Sequence, residues 1–311
     1  MSSPCEIWHL SDGKPGHLNQ VRGLIAALRK RVDLNVHVID VPSRTRSLWQ
    51  WMRRKFPSGA SLPDPALILG AGQATHLAML AARSSRGGKT IVMMAPQLPV
   101  RWFDLCIVPE HDEVLPRDNI IFTKGAINNI EPSNSASPSR GLILVGGPSK
   151  NYDWNAAALT QQIQAVVARD ESIAWTLTTS RRTPPDFAAA LAALALPNLM
   201  IVPAEQTPQG WVGDRMKECG LVWVTEDSVS MVYESLTSGA AVGLLAMPRG
   251  RTGRVLRPGI ARVMAGLEQL VREQMITTFD AWQISGELRS PPMKIDEADR
   301  CGQIVFERFL R

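Results

Sequence analysis

The 311-residue chain has no run of 18 apolar residues, so nothing in it reads as a membrane-spanning helix. Cysteine is scarce. Cys5, Cys106, Cys219 and Cys301 stand far apart without a C-x-x-C pair, which excludes a disulfide framework and suits a reducing compartment. The first residues, MSSPCEIWHL, pass directly into strand-like sequence with neither a basic-then-apolar leader nor an Arg-rich transit segment, so the expectation is a cytoplasmic protein. No Walker A loop, G-x-x-x-x-G-K-[ST], occurs. Apolar residues at 45% and charged residues at 20% set aside disorder, coiled coil and collagen. At roughly 150 residues per domain, the length predicts two domains with cores of their own.

Acidic residues are missing from one stretch in particular. None occurs between Asp40 and Asp64, where SRTRSLWQWMRRKFP carries Arg44, Arg46, Arg53, Arg54 and Lys55 among Leu48, Trp49, Trp51, Met52 and Phe56. Residues 1–139 hold 16 Lys and Arg against 11 Asp and Glu, so the whole net charge of +5 lies there; the remaining residues hold 18 of each. Cations mixed with interfacial aromatics read as a surface for anionic headgroups or an anionic acceptor, and equally as a surface helix with Trp facing the core. One basic segment beside a neutral second half does not make a continuous phosphate track, so nucleic acid is not an expected partner.

Short apolar runs alternate with helical stretches, the rhythm of βαβ units with a parallel sheet covered on both faces. In the first half the runs at 6–10, 35–41, 66–69, 90–95, 105–109 and 119–122 predict strands, with helices at 18–30 and 73–85. IEPSNSASPSR, at 130–140, has little to bury and reads as a linker. The pattern then restarts, with strands expected at 141–145, 173–178, 199–202, 221–224 and 241–245 and helices at 155–168, 186–195 and 228–238. Residues 296–311 close the chain with helical spacing of apolar residues behind an acidic start. The expected architecture is α/β: two Rossmann-like doubly wound domains, 1–139 and 140–311, facing a cleft, with ligands at the carboxyl ends of strands.

The strand ends carry the candidate chemistry. The first strand opens into Ser11-Asp12-Gly13-Lys14-Pro15-Gly16-His17-Leu18-Asn19-Gln20, a Gly-rich turn into a helix that suits an oxyanion, with His17, Asp12 and Lys14 beside it. Gly70-Ala71-Gly72-Gln73-Ala74-Thr75 imitates a dinucleotide fingerprint, but Thr75 replaces the third glycine and no ribose-binding acid ends the next strand, which disfavours NAD. Glu110-His111-Asp112 emerges at another strand end and reads as an acceptor contact or base rather than a metal site, although His76 or His17 could join it. In the second half, Val145-Gly146-Gly147-Pro148-Ser149-Lys150 suits close phosphate approach. Ser180-Arg181-Arg182 offers guanidinium forks for a diphosphate, and Ser228 starts a helix bearing Glu234 two turns on.

In order along the chain, SDGKPGHLNQ, VPEHDEVLPRDNIIFTKGAIN, VGGPSKNYDW, TSRRTP and TEDSVSMVYES resemble bacterial members of the mitochondrial-fission ELM-like family, which in turn resemble GT-B glycosyltransferases. Gly13, Gly16 and His17 are similar to the N-domain Gly-Gly-His loop of the glycosyltransferase that makes lipid II, with Lys14-Pro15 as the departure. The stretch Ser228 to Glu234 resembles the loop-helix motif whose glutamate binds the nucleotide ribose, with Asp227-Ser228 in place of the usual small pair. The resemblance implies a metal-independent glycosyltransferase without cofactor, whose substrates are a nucleotide-diphosphate sugar and a lipid-linked or lipopolysaccharide acceptor. His17 or Asp12 would act as base, while Arg181, Arg182 and the helix start would stabilise the leaving diphosphate. Gly146, Gly147, Ser149, Ser180, Thr225, Asp227, Met231 and Glu234 would complete the donor site. Gly13, Lys14, Gly16, Gln20, Gln73, Glu110 and His111 would line the diphosphate or acceptor loop. The closing helix would pack back across the N-domain, and the basic segment would hold the protein to the inner face of the cytoplasmic membrane. Two other readings stand beside it: a non-catalytic scaffold that keeps the frame for recruitment, as in the plant members, and a nucleotide-sugar epimerase.

Overall fold

In the computed structural model, which describes residues 4–250 and 258–311 (of 258–263 the backbone only), the apolar runs form two parallel six-stranded sheets. The first is built from β1 (Cys5–Ser11), α1 (Pro15–Arg29), β2 (Leu34–Asp40), α2 (Arg44–Met52), β3 (Leu67–Ala71), α3 (His76–Arg86), β4 (Lys89–Met93), β5 (Leu105–Pro109) and β6 (Ile120–Thr123). Its strand order is β2-β1-β3-β4-β5-β6. The second uses β7 (Ser137–Leu144), α4 (Ala156–Arg169), β8 (Ala174–Thr178), α5 (Asp186–Ala192), β9 (Leu199–Val202), α6 (Trp211–Glu218), β10 (Cys219–Thr225), α7 (Val229–Ser238), β11 (Ala241–Leu245), α8 (Pro258–Arg272), β12 (Thr277–Thr278) and α9 (Phe279–Ser285). Its order is β12-β11-β10-β7-β8-β9, and the last helix is α10 (Glu297–Phe309). Each sheet is doubly wound, with a switch point between β1 and β3 in the first and between β7 and β10 in the second, where the chain reverses its direction of strand addition.

The inner strands β3, β4, β5 and β11 are largely apolar and buried, because both faces of each sheet are covered there, whereas the outer strand β2 and the first half of β7 carry more polar residues and are partly exposed. In the first sheet Ile7, Leu67 and Leu69 face Val21, Leu24 and Leu28 of α1. Their neighbours Trp8, Leu10 and Ile68 point the other way, into a second buried cluster with Met79 and Leu80 of α3. The second sheet repeats the arrangement: Leu142, Leu144 and Val222 pack with Val232 and Leu236 of α7, and Ile143, Trp175 and Trp223 with Leu159 and Ile163 of α4. Burying one Leu or Ile side chain contributes about 1.5–3 kcal/mol, so these four clusters dominate the stability of both units.

The chain divides into Met1–Asn129 with Asp296–Arg311, and Ile130–Ile295. α10 lies on α1 within the first unit. Arg31 grips Asp299 with two parallel bonds of 2.9 Å, and a Cβ at Gly302 would stand 2.6 Å from that of Ala27, so only glycine allows the two helices this approach. The expected boundary at 139/140 falls inside β7. The Ser- and Pro-rich stretch expected to be a linker belongs to the second unit, because its hydroxyl and amide groups find partners there: Ser133 donates to Lys217 O (2.6 Å) through its hydroxyl and to Ser238 O (3.0 Å) through its amide. Helix α3 starts at His76, not Gln73, since residues 73–75 form a single 3₁₀ turn. The elements α6, α8, α9 and β12 have no counterpart among the expected ones.

Candidate functional site

Each switch point gathers a Gly-rich loop and one charged pair. In the first unit the loop after β1 brings Asp12 to His17, whose Nδ1 lies 2.9 Å from Asp12 Oδ2 and 3.0 Å from Oδ1. Asp12 is nearly buried and also accepts from the Lys14 amide (3.2 Å) and pairs with its ammonium (3.3 Å). Desolvation pushes its carboxyl up, but these hydrogen bonds and charges outweigh it and hold the group below the ordinary carboxylate range. The imidazole, tethered through Nδ1, stacks over the loop after β3: a Cβ on Gly72 would lie 2.2 Å from His17 Cε1, and Gly72 has a φ of +79°. An ionised carboxylate orienting an imidazole whose Nε2 remains for another partner is the arrangement of a general base.

Around this pair, Gly13 and Gly16 have open space where a side chain would stand, and Lys14 is exposed. Gln20 points into the protein and is buried, whereas Gln73 is exposed beside Gly72. Glu110 and His111 form a 3₁₀ turn after β5, and the adjacent Asp112 accepts from the Ala95 amide at 3.3 Å. His76 is buried against Phe103 with ring centroids 5.5 Å apart, and burial lowers its pKa to about 4. Among the described residues no group of three or more His, Cys, Asp or Glu is placed to hold a metal ion.

In the second unit the loop after β7 meets the loop after β10. The Gly146 amide donates to Thr225 Oγ1 (2.8 Å) and the Gly147 amide to Asp227 Oδ2 (3.1 Å). Ser228 Oγ donates to the same oxygen (3.1 Å), as does Arg182 Nη2 (2.6 Å). The Asp227 side chain is fully buried and its Oδ1 has no partner among the described residues. The glycines are required by the protein itself: a Cβ on Gly146 would meet Asp227 at 2.2 Å, and one on Gly147 would meet the Arg182 backbone at 2.3 Å.

Several expectations for this loop cluster change accordingly. Arg182, expected to face a diphosphate, is spent on Asp227, Ser228 Oγ and the Gly147 carbonyl (3.0 Å). Ser228 does not cap α7, because its hydroxyl turns to Asp227 instead. Thr225 is buried, Ser149 accepts from the Asn151 and Tyr152 amides to close its own turn, and Met231 packs against the core. Arg181 is exposed and pairs with nothing among the described residues, and Ser180 holds its own loop through Thr183. Glu234 sits on α7, partly buried and without a partner among the described residues, and desolvation alone raises its pKa from 4.5 to about 7.

Sequence reading passed over a cavity of about 400 Å³ beyond β10 and β11, lined in part by Tyr152, Glu226, Arg249, Glu268 and Thr278. Burial raises the Glu226 carboxyl and carries the Tyr152 hydroxyl to about 12. Glu226 precedes Asp227 directly, so strand-end position was the signal that could have found it.

The basic segment forms α2. Ser47 and Gln50 are its buried residues, while Arg44, Arg46, Arg53, Arg54 and Lys55 are exposed. Trp51, expected at the surface, is half-buried against Trp102 with centroids 5.3 Å apart, and Phe56 is buried on Trp8. Trp49 remains outside, with the Arg53 guanidinium 4.3 Å from its ring centroid. Among the described residues no helix is long and apolar enough to cross a membrane.

The same two-unit fold recurs in solved structures. The UDP-GlcNAc 2-epimerase of Methanocaldococcus jannaschii superposes with a TM-score of 0.56 at 12% identity, over 98% of this chain and 100% of that one. The calicheamicin glycosyltransferase CalG4 does so with a TM-score of 0.50 at 11% identity, over 97% and 94%. The architecture is therefore α/β and GT-B-like, a frame shared by glycosyltransferases and UDP-GlcNAc 2-epimerases. An uncharacterized protein of Rickettsia prowazekii is 23% identical over 88% of this chain and 90% of its own. Residues 15–309 match the sequence model of the family described as mitochondrial fission ELM1, and the chain belongs to that family.

Proposed function

We propose that the chain is a nucleotide-sugar glycosyltransferase, with the second unit holding a nucleotide-diphosphate sugar and the first a lipid-linked or lipopolysaccharide-type acceptor. The observation that carries this reading is the Asp12–His17 pair at the first switch point, an oriented imidazole where a doubly wound sheet presents its ligands. An epimerase would also use paired acid–base groups, around one diphosphate sugar, but no acceptor, so the acceptor is what separates the two readings. In the transfer, the acceptor hydroxyl oxygen bonds to the anomeric carbon while its proton passes to His17 Nε2. The bond from that carbon to the diphosphate oxygen breaks, and the nucleoside diphosphate leaves with the electron pair. Arg181, exposed and uncommitted, would meet the departing charge, and Glu234 would accept from the ribose hydroxyls, which accounts for a carboxyl left partnerless in the protein. The step requires no redox or metal participant for its balance.

One observation favours a second reading, a non-catalytic scaffold. Asp227 already accepts from the Gly147 amide and the Arg182 guanidinium, the groups expected to meet a diphosphate, and a diphosphate would have to displace it or bind beside it.

Thermal unfolding with UDP, GDP, CMP, ADP and dTDP, on wild type, Glu234→Ala and Arg181→Ala, separates the two. A ligand at 100 times its Kd stabilises the fold by about 2.7 kcal/mol. One stabilising nucleotide, with the response lost in both variants, supports the enzyme. No response at millimolar ligand overturns it in favour of the scaffold. With the nucleotide known, release of nucleoside diphosphate in the presence of acceptor, abolished in His17→Ala, tests the transfer, and an isomerised donor sugar would instead mark the epimerase.

A further inference from the structure

Helix α2 is amphipathic in reverse. Its buried residues are the polar Ser47 and Gln50, while Leu48, Trp49 and Met52 are 42%, 47% and 67% exposed. At about 100° per residue, Ser47, Gln50 and Trp51 share the arc that packs inward, and Leu48, Met52 and Trp49 fill the opposite arc. Arg44 borders that apolar arc on one side and Arg46 and Arg53 on the other, and Arg54 and Lys55 extend the cation belt past the C-terminus of the helix. No acidic residue lies between Asp40 and Asp64 to neutralise it.

We infer that the outer face of α2 is a docking surface for an anionic lipid bilayer. Charge complementarity selects this partner. Three large apolar side chains would enter the headgroup boundary while five cations meet lipid phosphates, the division of labour of an interfacial helix. A nucleic acid would engage the cations and leave Leu48 and Met52 in water. Trp49, with Arg53 stacked on its ring, is the amphipathic anchor suited to the interface. The inward packing through Ser47, Gln50 and Trp51 fixes α2 on α3, so the surface is present before binding.

Co-sedimentation of the full chain with vesicles of 30:70 phosphatidylglycerol and phosphatidylcholine, at roughly 50 and 500 mM salt, tests this. The expected result is binding to the anionic vesicles at low salt, little binding to pure phosphatidylcholine, and a loss of about tenfold or more in affinity in Trp49→Ser/Met52→Ser and in Arg46→Gln/Arg53→Gln/Arg54→Gln. All five substituted residues are exposed, and matched thermal unfolding of the variants confirms their folding. Absence of binding at low salt overturns the inference. So does binding unchanged in the Trp49/Met52 variant, which would show attraction by charge alone with no entry of the apolar arc into the bilayer. The outcome does not depend on nucleotide binding.

Discussion

Arg182 Nη2 and Asp227 Oδ2 lie 2.6 Å apart, joining two strand-end loops that are 45 residues apart in sequence. The pair has unequal partners: the carboxylate is wholly buried and the guanidinium is 44% exposed. Removing the cation strands a buried charge, whereas removing the carboxylate leaves a guanidinium that reaches water. Arg182→Ala should therefore cost about 2–4 kcal/mol of stability and Asp227→Ser clearly less, as measured by urea denaturation. Asp227→Ser should also tighten binding of a nucleoside diphosphate about tenfold, because it removes a negative charge from the anion loops; calorimetric titration showing equal or weaker binding would refute this role for Asp227.

Glu234 supplies a pH dependence. Its carboxyl titrates at about 7 in the folded protein and near 4.5 when unfolded, so folding favours the protonated form. This contribution is most favourable below pH 4.5, declines as pH rises from there to 7, and stays lower above. Glu234→Gln should raise stability at pH 8 by up to about 3 kcal/mol and change little at pH 4.5. Equal effects at both pH values would mean the carboxyl is ionised throughout.

The first unit responds with the opposite sign. His9 and His76 are buried, and desolvation lowers each to about 4, aided at His9 by the charge of Arg22. Above pH 6.5 they are neutral in both states. As pH falls from 6.5 towards 4 the unfolded chain gains protons that the fold refuses, and stability drops by up to about 3 kcal/mol per histidine. His76→Gln should narrow the difference between urea midpoints at pH 7.5 and pH 5; an unaltered difference would show that His76 is not involved.

Gly72 holds the imidazole of His17 in place. Gly72→Ala meets both a φ of +79° and a ring 2.2 Å away, and should cost about 1–3 kcal/mol while displacing His17 from Asp12. Loss of the Asp12-bonded Nδ1 signature in the ¹⁵N spectrum of the imidazole is the expected reading. A variant with that signal intact would leave Gly72 with a purely local role.

The elements most legible in the sequence were those with uninterrupted apolar runs, because a parallel sheet covered on both faces writes itself that way. Leu105–Pro109, Leu199–Val202 and Ala241–Leu245 are the expected strands residue for residue. β12, two residues long, leaves no periodic signal. The sequence left the face of α2 open between an outward cation-and-aromatic surface and a helix with Trp turned to the core; packing through Ser47 and Gln50 leaves Leu48, Trp49 and Met52 outside and half-buries Trp51, so each reading holds for one tryptophan. At the candidate site, the short-range Asp12–His17 pair follows from one loop, and its residues were named from that loop alone. The engagement of Arg182 by Asp227 could not be foreseen, because it depends on how two distant loops meet once β8 and β10 both flank β7.

The seating of α10 on α1 has a consequence for biosynthesis. Arg31 and Asp299 are 268 positions apart, so the apolar cleft that α10 fills on the first unit stays open until Glu297–Phe309 has been translated. The second unit, emitted without interruption, has all its strands before that moment. On the ribosome the first unit is thus completed only after the second, and its earlier segment must wait with Ile25, Leu28 and Ala27 partly uncovered, a natural client for a holding chaperone.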